Sequence, residues 1–345
     1  MIFVEDQPRR PEAPYVTRVR VSVVVPSFNH APFIETCLRS IFRQTHAPAE
    51  LLVIDDGSTD NSPQIIERAL RECPFPCEFL ARRNRGLCAT LNEGLERTSG
   101  DCFAYLGSDD VWLPEFLQAR LALLEARPHA VLAYGHAYLI DEHDRIIDCT
   151  RDWAQYADGD ARHMLLQAIA PMSPTVLYRR RALERHRWTE QARLEDYDLY
   201  LRLSVEGEFA FDPRVLSAWR QHSYNTSRDQ VFMLDEQLKA LRSAASRFGL
   251  GANELEWLQA ALRFHRAEDF LRAGQKRAAL GLMRHNLSGA RSAREVARMF
   301  LRLVIPHRLM VWRRRLSQRR AATRYSGVEG WLNSELKPRP PGDHG

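Results

Sequence analysis

Two pairs of acidic residues stand just after short apolar runs of the sequence. The first pair, Asp55–Asp56, directly follows the run at 51–54, and the second pair, Asp109–Asp110, follows the run at 102–106. Carboxylates repel phosphate unless a divalent cation lies between them, and carboxylate oxygens are hard ligands that suit Mg²⁺ or Mn²⁺. The pattern therefore predicts a metal ion that holds a diphosphate. Each pair taken alone is also compatible with a solvated turn that caps the next helix.

Alternating strands and helices predict how these acids are positioned. Four short apolar runs, at 21–25, 51–54, 77–80 and 102–106, are predicted strands, and the first is almost wholly β-branched, as in strands buried on both faces. Apolar residues at helical spacing separate the runs. The alternation predicts a doubly wound, mostly parallel α/β sheet. Ligands bind beyond the carboxyl ends of such strands, so both acidic pairs are expected at one edge.

A third acidic segment, Glu195–Asp198, opens a predicted helix. Leu199 and Leu203 are four residues apart and begin its apolar stripe, which places Asp196 in the first turn. The positive end of the helix dipole favours the ionised carboxylate there. An ionised carboxylate can act as a general base, although acids at this position are also ordinary features of helix N-termini.

Six stretches of the chain follow one another in a pattern seen elsewhere. They read VSVVVPSFNHAPFIETCLRSIFRQT at 21–45, LLVIDDGSTDNS at 51–62, NRGLCATLNEGL at 84–95, YLGSDDVWLP at 105–114, LEDYDLYLRL at 194–203 and WRQHSYNTS at 219–227. In order and spacing they resemble the inverting family 2 glycosyltransferases, whose nucleotide-binding fold is called GT-A. The resemblance implies sugar transfer from a nucleotide-diphosphate sugar, of the uridine or guanosine class, to an acceptor hydroxyl with inversion.

The resemblance also implies roles for particular residues. It makes Asp196 the general base and Asp109 the ligand that holds Mn²⁺ or Mg²⁺ on the diphosphate, with Asp110 and His222 in support. The residues expected to contact the donor are Pro26, Ser27, Phe28, Asp55, Asp56, Asn84, Gly86, Asn92, Ser108 and Arg220. Arg220 or His222 would stabilise the departing diphosphate. The alternative for this segment is a surface loop with Trp219 in the core.

Gly107 departs from the family pattern, because it replaces the first acid of the Asp-x-Asp element. A weaker dependence on metal is one expected consequence. The departure also motivates an alternative, a non-catalytic protein of the same fold that binds a nucleotide sugar or a glycan. A phosphoacceptor signalling domain fits less well, since its acids cluster, whereas these close the second and the fourth strand.

The sequence divides into four expected regions. They are a flexible leader at 1–19, a GT-A catalytic domain at 20–228, a helical C-terminal region at 229–322 and a disordered tail at 323–345.

The helical region contains a basic segment at 296–320. Its bulky apolar residues and dense arginines predict either peripheral contact with an anionic membrane or a solvated helix packed on the catalytic unit. Its aromatics are too few for a nucleic-acid stacking surface.

Apolar runs, the first residues and the cysteines indicate where in the cell the protein works and which acceptor it uses. No apolar run approaches the roughly 18 to 20 residues that span a bilayer, and the first residues do not resemble a secretory signal. The six cysteines are scattered, which favours a reducing compartment. A cytoplasmic enzyme at the inner face of the membrane is expected, with a saccharide or lipid-linked acceptor in cell-surface or secreted glycan synthesis.

Overall fold

The computed structural model describes residues 19–222 and 229–336. Within these ranges the strands form a single mixed sheet. They are β1 (Val21–Ser27), β2 (Glu50–Asp55), β3 (Cys77–Ala81), β4 (Cys102–Tyr105), β5 (Val111–Trp112), β6 (Ala130–Asp141), β7 (Ile146–Cys149), β8 (Leu177–Arg179) and β9 (Glu208–Gln221). All four predicted strands are present.

The helices that precede β9 flank this sheet, and the remaining helices follow one another after β9. The first group comprises α1 (Ile34–Phe42), α2 (Ser62–Leu70), α3 (Leu87–Arg97), α4 (Phe116–Ala126), α5 (Arg162–Leu166), α6 (Arg180–Arg185) and α7 (Glu195–Leu203). The second comprises α8 (Gln230–Ala244), α9 (Ala252–Arg272), α10 (Lys276–His285), α11 (Ala293–Val304), α12 (His307–Arg324) and α13 (Ser326–Glu335). No helix among the described residues is long and apolar enough to cross a membrane.

The order of the strands along the sheet is β3-β2-β1-β4-β8-β6-β9-β5, with β7 paired to β6. The first four strands are parallel, as the βα alternation predicts. Beyond β4 the sheet is mixed: β8 is antiparallel to both of its neighbours, β5 is antiparallel to β9, and β6 is parallel to β9. The sheet is therefore parallel on one side and mixed on the other.

Alternate side chains of the parallel strands pack on opposite faces of the sheet. Val23 and Val25 of β1 pack with Ile34 and Leu38 of α1 in one cluster of buried side chains. Val24 packs on the other face, in a second cluster that also contains residues of α3 and α7. Burial on both faces explains the continuous apolar sequence of β1.

The C-terminal end of the described chain corrects one prediction. Residues 323–345 are expected from the sequence to be disordered, yet 326–335 form α13. Leu332 and Leu336 are fully buried against Tyr138 and Ile140 of β6. Burial of these two apolar side chains stabilises the helix, although the overall composition of the segment does not predict one. Residues 1–18 of the predicted leader at 1–19 and the last residues, 337–345, lie outside the described part.

Candidate active site

The sheet brings the predicted acidic loops to one edge. β1 is the central strand of three, with β2 on one side and β4 on the other, and all three run in the same direction. The loop after β1 therefore lies between Asp55–Asp56 and Asp109–Asp110. This neighbourhood was expected from the sequence. The loop after β1 contributes His30, which the sequence reading did not single out.

Three ligating side chains meet beyond β4. His222 Nε2 lies 2.9 Å from Asp109 Oδ2, and His30 Nδ1 lies 3.7 Å from Asp109 Oδ1. The ligand atoms of the three residues all lie within 4.8 Å of one another. The side chain of His30 remains 23% exposed while that of His222 is 2% exposed, so the cluster is open on the His30 side.

Surrounding residues hold this cluster in place. Ser108 is buried, and its Oγ lies 2.8 Å from His30 Nδ1. The ring of Phe33 stacks on His222 with 5.2 Å between centroids. Burial lowers the pKa of His30, which keeps its imidazole neutral and able to coordinate. Burial alone would raise the pKa of Asp109, but the hydrogen bond with His222 and the electrostatic interactions with both histidine rings outweigh it and lower that pKa.

These donors fit one divalent ion. Two imidazole nitrogens and a carboxylate oxygen are ligands that Mn²⁺ and the later transition metals accept. Gly107 lies beside the cluster. A Cβ at Gly107 would lie 3.0 Å from both Asp109 Oδ1 and Asp110 Oδ2. These two carboxylates therefore border the space that the first acid of the Asp-x-Asp element would occupy. His30 supplies a ligand from the other strand end.

Asp110 and Arg220 do not occupy the positions predicted for them. Asp110 is buried, and its Oδ1 accepts the backbone N–H of Arg220 at 2.8 Å. Burial and the charge of Asp109 raise its pKa well above the ordinary value. Asp110 is therefore a buried support of the loop and does not join the three ligating side chains.

Arg220 is 1% exposed, and its guanidinium donates to three oxygens of the surrounding chain. They are the carbonyl oxygens of Asp109 at 2.7 Å and Asp141 at 2.9 Å, and Asp144 Oδ1 at 2.7 Å. The guanidinium also lies over the ring of Phe33, 4.8 Å from its centroid. Arg220 thus fixes the backbone of the loop that carries Asp109, and its predicted contact with diphosphate stays a prediction.

Asp55 and Asp56 hold loops together. Asp55 accepts hydrogen bonds from Ser58 N at 2.8 Å and Ser58 Oγ at 2.6 Å. Asp56 accepts from the backbone N–H groups of Arg85 at 2.9 Å and Gly86 at 2.8 Å, and pairs with Arg82. Both carboxylates are buried and their oxygens are already engaged. These carboxylates are engaged within the protein, and the donor contacts predicted for them stay a prediction.

The remaining predicted donor contacts divide by exposure. Phe28 is 46% exposed at the end of β1, whereas Pro26 and Ser27 are buried within the strand. Asn84 is exposed and Gly86 is half-buried, with a φ of 88° that favours glycine. Phe28, Asn84 and Gly86 thus remain able to line a donor pocket.

Asn92 has a different role from the predicted one. Its Nδ2 donates to the carbonyl oxygen of Trp188 at 2.9 Å, and its Oδ1 accepts the N–H of Trp188 at 3.0 Å. Both amide groups of Asn92 are used in this way to fasten the segment before α7 onto α3. The indole of Trp188 lies against Tyr105, with 5.9 Å between ring centroids. Asn92 therefore acts on the site only through Trp188.

Asp196 lies in the first turn of α7, as the sequence predicts. Its Oδ1 accepts a hydrogen bond of 2.5 Å from the hydroxyl of Tyr105, the last residue of β4. Burial raises the pKa of Asp196 to about 6, an effect that hydrogen bonds such as that from Tyr105 moderate. Burial and the charge of Asp196 raise the pKa of the adjacent Glu195. Tyr105, which no sequence argument identified, thus joins Asp196 to the strand that leads into the loop carrying Asp109.

Solved structures of low sequence identity share this architecture. This chain matches the crystal structure of S. aureus TarS 1–349 in complex with UDP-GlcNAc over 93% of each chain. The TM-score is 0.57 and the sequence identity is 17%. The mannosyltransferase PcManGT from Pyrobaculum calidifontis, solved with GDP-Man and Mn²⁺, matches with a TM-score of 0.55 and 16% identity, over 93% of this chain and 86% of that one. The fold is that of the GT-A glycosyltransferases.

Residues 22–187 match the model of glycosyl transferase family 2. An uncharacterized glycosyltransferase of Nostoc sp. is 29% identical over 171 residues, which are 48% of this chain and 53% of that protein. The chain thus aligns with only about half the length of this relative. Over residues 22–187 the chain is similar to glycosyl transferase family 2, and this region contains β1 to β4 and the loops at their ends.

Proposed function

We propose that this chain transfers a sugar from a nucleotide-diphosphate sugar to an acceptor hydroxyl, with inversion at the anomeric carbon. One observation supports this most directly: a carboxylate with a raised pKa and a three-ligand cluster lie at the same end of the sheet, joined through β4. A carboxylate with a raised pKa is suited to act as a general base, and a cluster of metal ligands can hold an ion that binds a diphosphate.

Asp196 is the proposed base. Its pKa of about 6 leaves it mostly ionised at neutral pH and makes it a stronger proton acceptor than an ordinary aspartate. The acceptor oxygen forms a bond to the anomeric carbon as the bond from that carbon to the diphosphate oxygen breaks. The acceptor proton passes to Asp196. Attack opposite the leaving group in this single step inverts the configuration.

His30, Asp109 and His222 are the proposed metal ligands. A divalent ion held there would neutralise the negative charge that grows on the departing diphosphate. Because two of the three donors are imidazoles, we propose a preference for Mn²⁺ over Mg²⁺, whose usual ligands are oxygens. Arg220 and Asp110 fix the loop that carries Asp109, and Ser108 orients His30.

The donor is proposed to be a uridine or guanosine diphosphate sugar, in line with the ligands in the TarS and PcManGT structures. The acceptor is proposed to be a saccharide or a lipid-linked intermediate in the synthesis of a cell-surface or secreted glycan, with the enzyme on the cytoplasmic side of the membrane. The competing idea of a binding protein without turnover rested on Gly107. A ligand set completed by His30 removes that reason for expecting lost catalysis.

Donor turnover tests the proposal. Purified protein with Mn²⁺ should release nucleoside diphosphate from at least one sugar of a UDP and GDP panel, and the Asp196→Asn variant should not. The matched control is Asp198→Asn, which removes an acid from the same helix turn but one that pairs with Arg202. Donor binding without turnover in the unmodified protein would favour the binding-protein alternative.

A further inference from the structure

The C-terminal helices expose large apolar side chains that a folded protein usually buries. Leu301 and Val304 of α11 are 63% and 73% exposed, and Leu309 and Trp312 of α12 are 44% and 56% exposed. α12 has 18 residues and none of them is buried. These residues lie close together in the chain on both sides of Pro306. They form an apolar surface that no other described element covers.

The same segment carries an unusual charge distribution. From residue 296 to residue 328 the sequence contains nine arginines and no acidic residue. Three of these arginines pair with acids elsewhere: Arg298 with Glu295, Arg302 with Glu268 and Arg324 with Asp152. In the described chain the other six form no ion pair and are exposed; they are Arg308, Arg313, Arg314, Arg315, Arg319 and Arg320.

Apolar and basic residues share the outward face of α12. Leu309, Arg313, Leu316 and Arg320 follow one another at spacings of four, three and four residues, and so lie on one side of the helix. Other residues of α12 face the protein, since Met310 and Ala321 pack against buried clusters at its two ends. A helix of this kind can insert its apolar side chains among lipids while its guanidinium groups stay at the phosphates.

This surface is fastened to the catalytic domain. Arg324 at the end of α12 donates to Asp152 Oδ1 at 2.7 Å. In the next helix, Glu329 accepts the backbone N–H of Ile146 at 2.6 Å, and Leu332 is fully buried. A membrane bound at α12 would therefore fix the orientation of the catalytic domain as well.

We propose that this surface, made by residues 301–320 of α11 and α12 and here called the basic corner, docks on an anionic lipid bilayer. Unpaired arginines complement the negative headgroups, and the exposed apolar side chains match the acyl region beneath them. A nucleic-acid surface fits less well, because Trp312 is the one aromatic ring in the segment 301–320 and successive bases need several stacking rings. The docking stands apart from the proposed catalysis. The link to a lipid-linked acceptor rests on the proposed function.

Sedimentation with vesicles tests the docking. The full chain should bind vesicles of phosphatidylcholine mixed with phosphatidylglycerol, bind pure phosphatidylcholine weakly, and lose binding as salt rises. The double variant Arg313→Gln, Arg320→Gln should bind at least about tenfold more weakly, since each arginine near an anionic surface contributes measurably. Trp312→Ser should also weaken binding, because it removes apolar insertion.

The matched control is Arg71→Gln, Arg247→Gln, which removes the same charge from exposed sites on other helices or turns. It should bind the mixed vesicles as the unmodified chain does. Equal binding to neutral vesicles, an equal loss in the control, or binding to heparin or RNA that Trp312→Ser leaves unchanged would each overturn the proposal. Donor hydrolysis without vesicles should be the same in all these variants, so a failure of docking is distinguishable from a failure of the proposed catalysis.

Discussion

The hydroxyl of Tyr105 lies 2.5 Å from Asp196 Oδ1, and this contact joins two segments that are 91 residues apart in the chain. Tyr105 ends β4, and the loop that follows it carries Asp109. The candidate base and the candidate metal ligand are therefore positioned by one strand. The predictions below test what each group at this strand end contributes.

Replacing Asp196 by Asn should abolish most of the transferase activity. The amide cannot accept the acceptor proton, and general-base catalysis contributes about 10²- to 10⁴-fold to rate. Turnover of the donor and acceptor pair at pH 7 measures the effect. Asp198→Asn should retain activity within a few-fold, because Asp198 pairs with Arg202 and accepts from Thr189 and takes no part in the contact between Tyr105 and Asp196. Comparable losses in both variants would mean that α7 has been disrupted rather than a base removed.

The activity should depend on pH through Asp196. Its pKa of about 6 means that the ionised, proton-accepting form is lost as pH falls through 6, so kcat/KM should rise across that range and level off above it. Tyr105→Phe removes a hydrogen bond that favours the ionised form. The acidic limb of the profile should then move to higher pH. A limb that stays in place or moves to lower pH would contradict the assigned contact.

His30→Ala should weaken metal binding by at least about tenfold, since one of three protein ligands is lost. Binding of Mn²⁺ to the protein alone, followed by electron paramagnetic resonance or calorimetry, measures this without catalysis. The control is His143→Ala, which removes an exposed histidine outside the cluster. Unchanged Mn²⁺ affinity in His30→Ala would leave Asp109 and His222 as the only ligands. Tighter binding of Mg²⁺ than of Mn²⁺ would contradict the preference inferred from the imidazoles.

Arg220→Met should act mainly on stability. It removes three hydrogen bonds from a side chain that is 1% exposed and leaves Asp144 without that partner, at a cost of about 3 kcal/mol. In a domain of this size such a loss corresponds to a fall in Tm of roughly 6 to 12 °C. The comparison is Arg145→Met, which breaks an exposed pair with Asp141 and should cost about 1 kcal/mol or less. A normal Tm with a large rise in the donor KM would instead place Arg220 on the diphosphate.

The parallel half of the sheet was predictable because each of its strands is a short apolar run that can be recognised from the local sequence. β1 is apolar throughout since both of its faces are covered, and the acids that follow β2 and β4 reach the same edge by parallel pairing alone. The mixed half of the sheet was harder to predict from the sequence. β6 and β9 pair over eleven residue positions with several register shifts, and such irregular long-range pairing leaves little periodic trace in the sequence.

The site was predictable in residue type more than in role. The sequence does not distinguish an acid that accepts hydrogen bonds from backbone N–H groups from an acid that faces a ligand. It therefore predicts ligand contacts for Asp55, Asp56 and Asp110, which accept such hydrogen bonds in the structure. His30 and Tyr105 were not identified from the sequence, because each contacts a site residue that is distant in the chain. His30 lies beside Asp109, and Tyr105 donates to Asp196. Their positions offered a signal: His30 is in the loop after β1, and Tyr105 ends the strand that precedes the acidic loop.

The configuration of the released sugar tests the central proposal most directly. Donor hydrolysis by the full chain with Mn²⁺, followed by proton NMR from the first minutes before the free sugar mutarotates, identifies the anomer that forms first. Water attacking in place of the acceptor should give the anomer opposite to that of the donor, and Asp196→Asn should give none. Release of the donor's own anomer, or undiminished hydrolysis in Asp196→Asn, would contradict a single inverting displacement with Asp196 as the base.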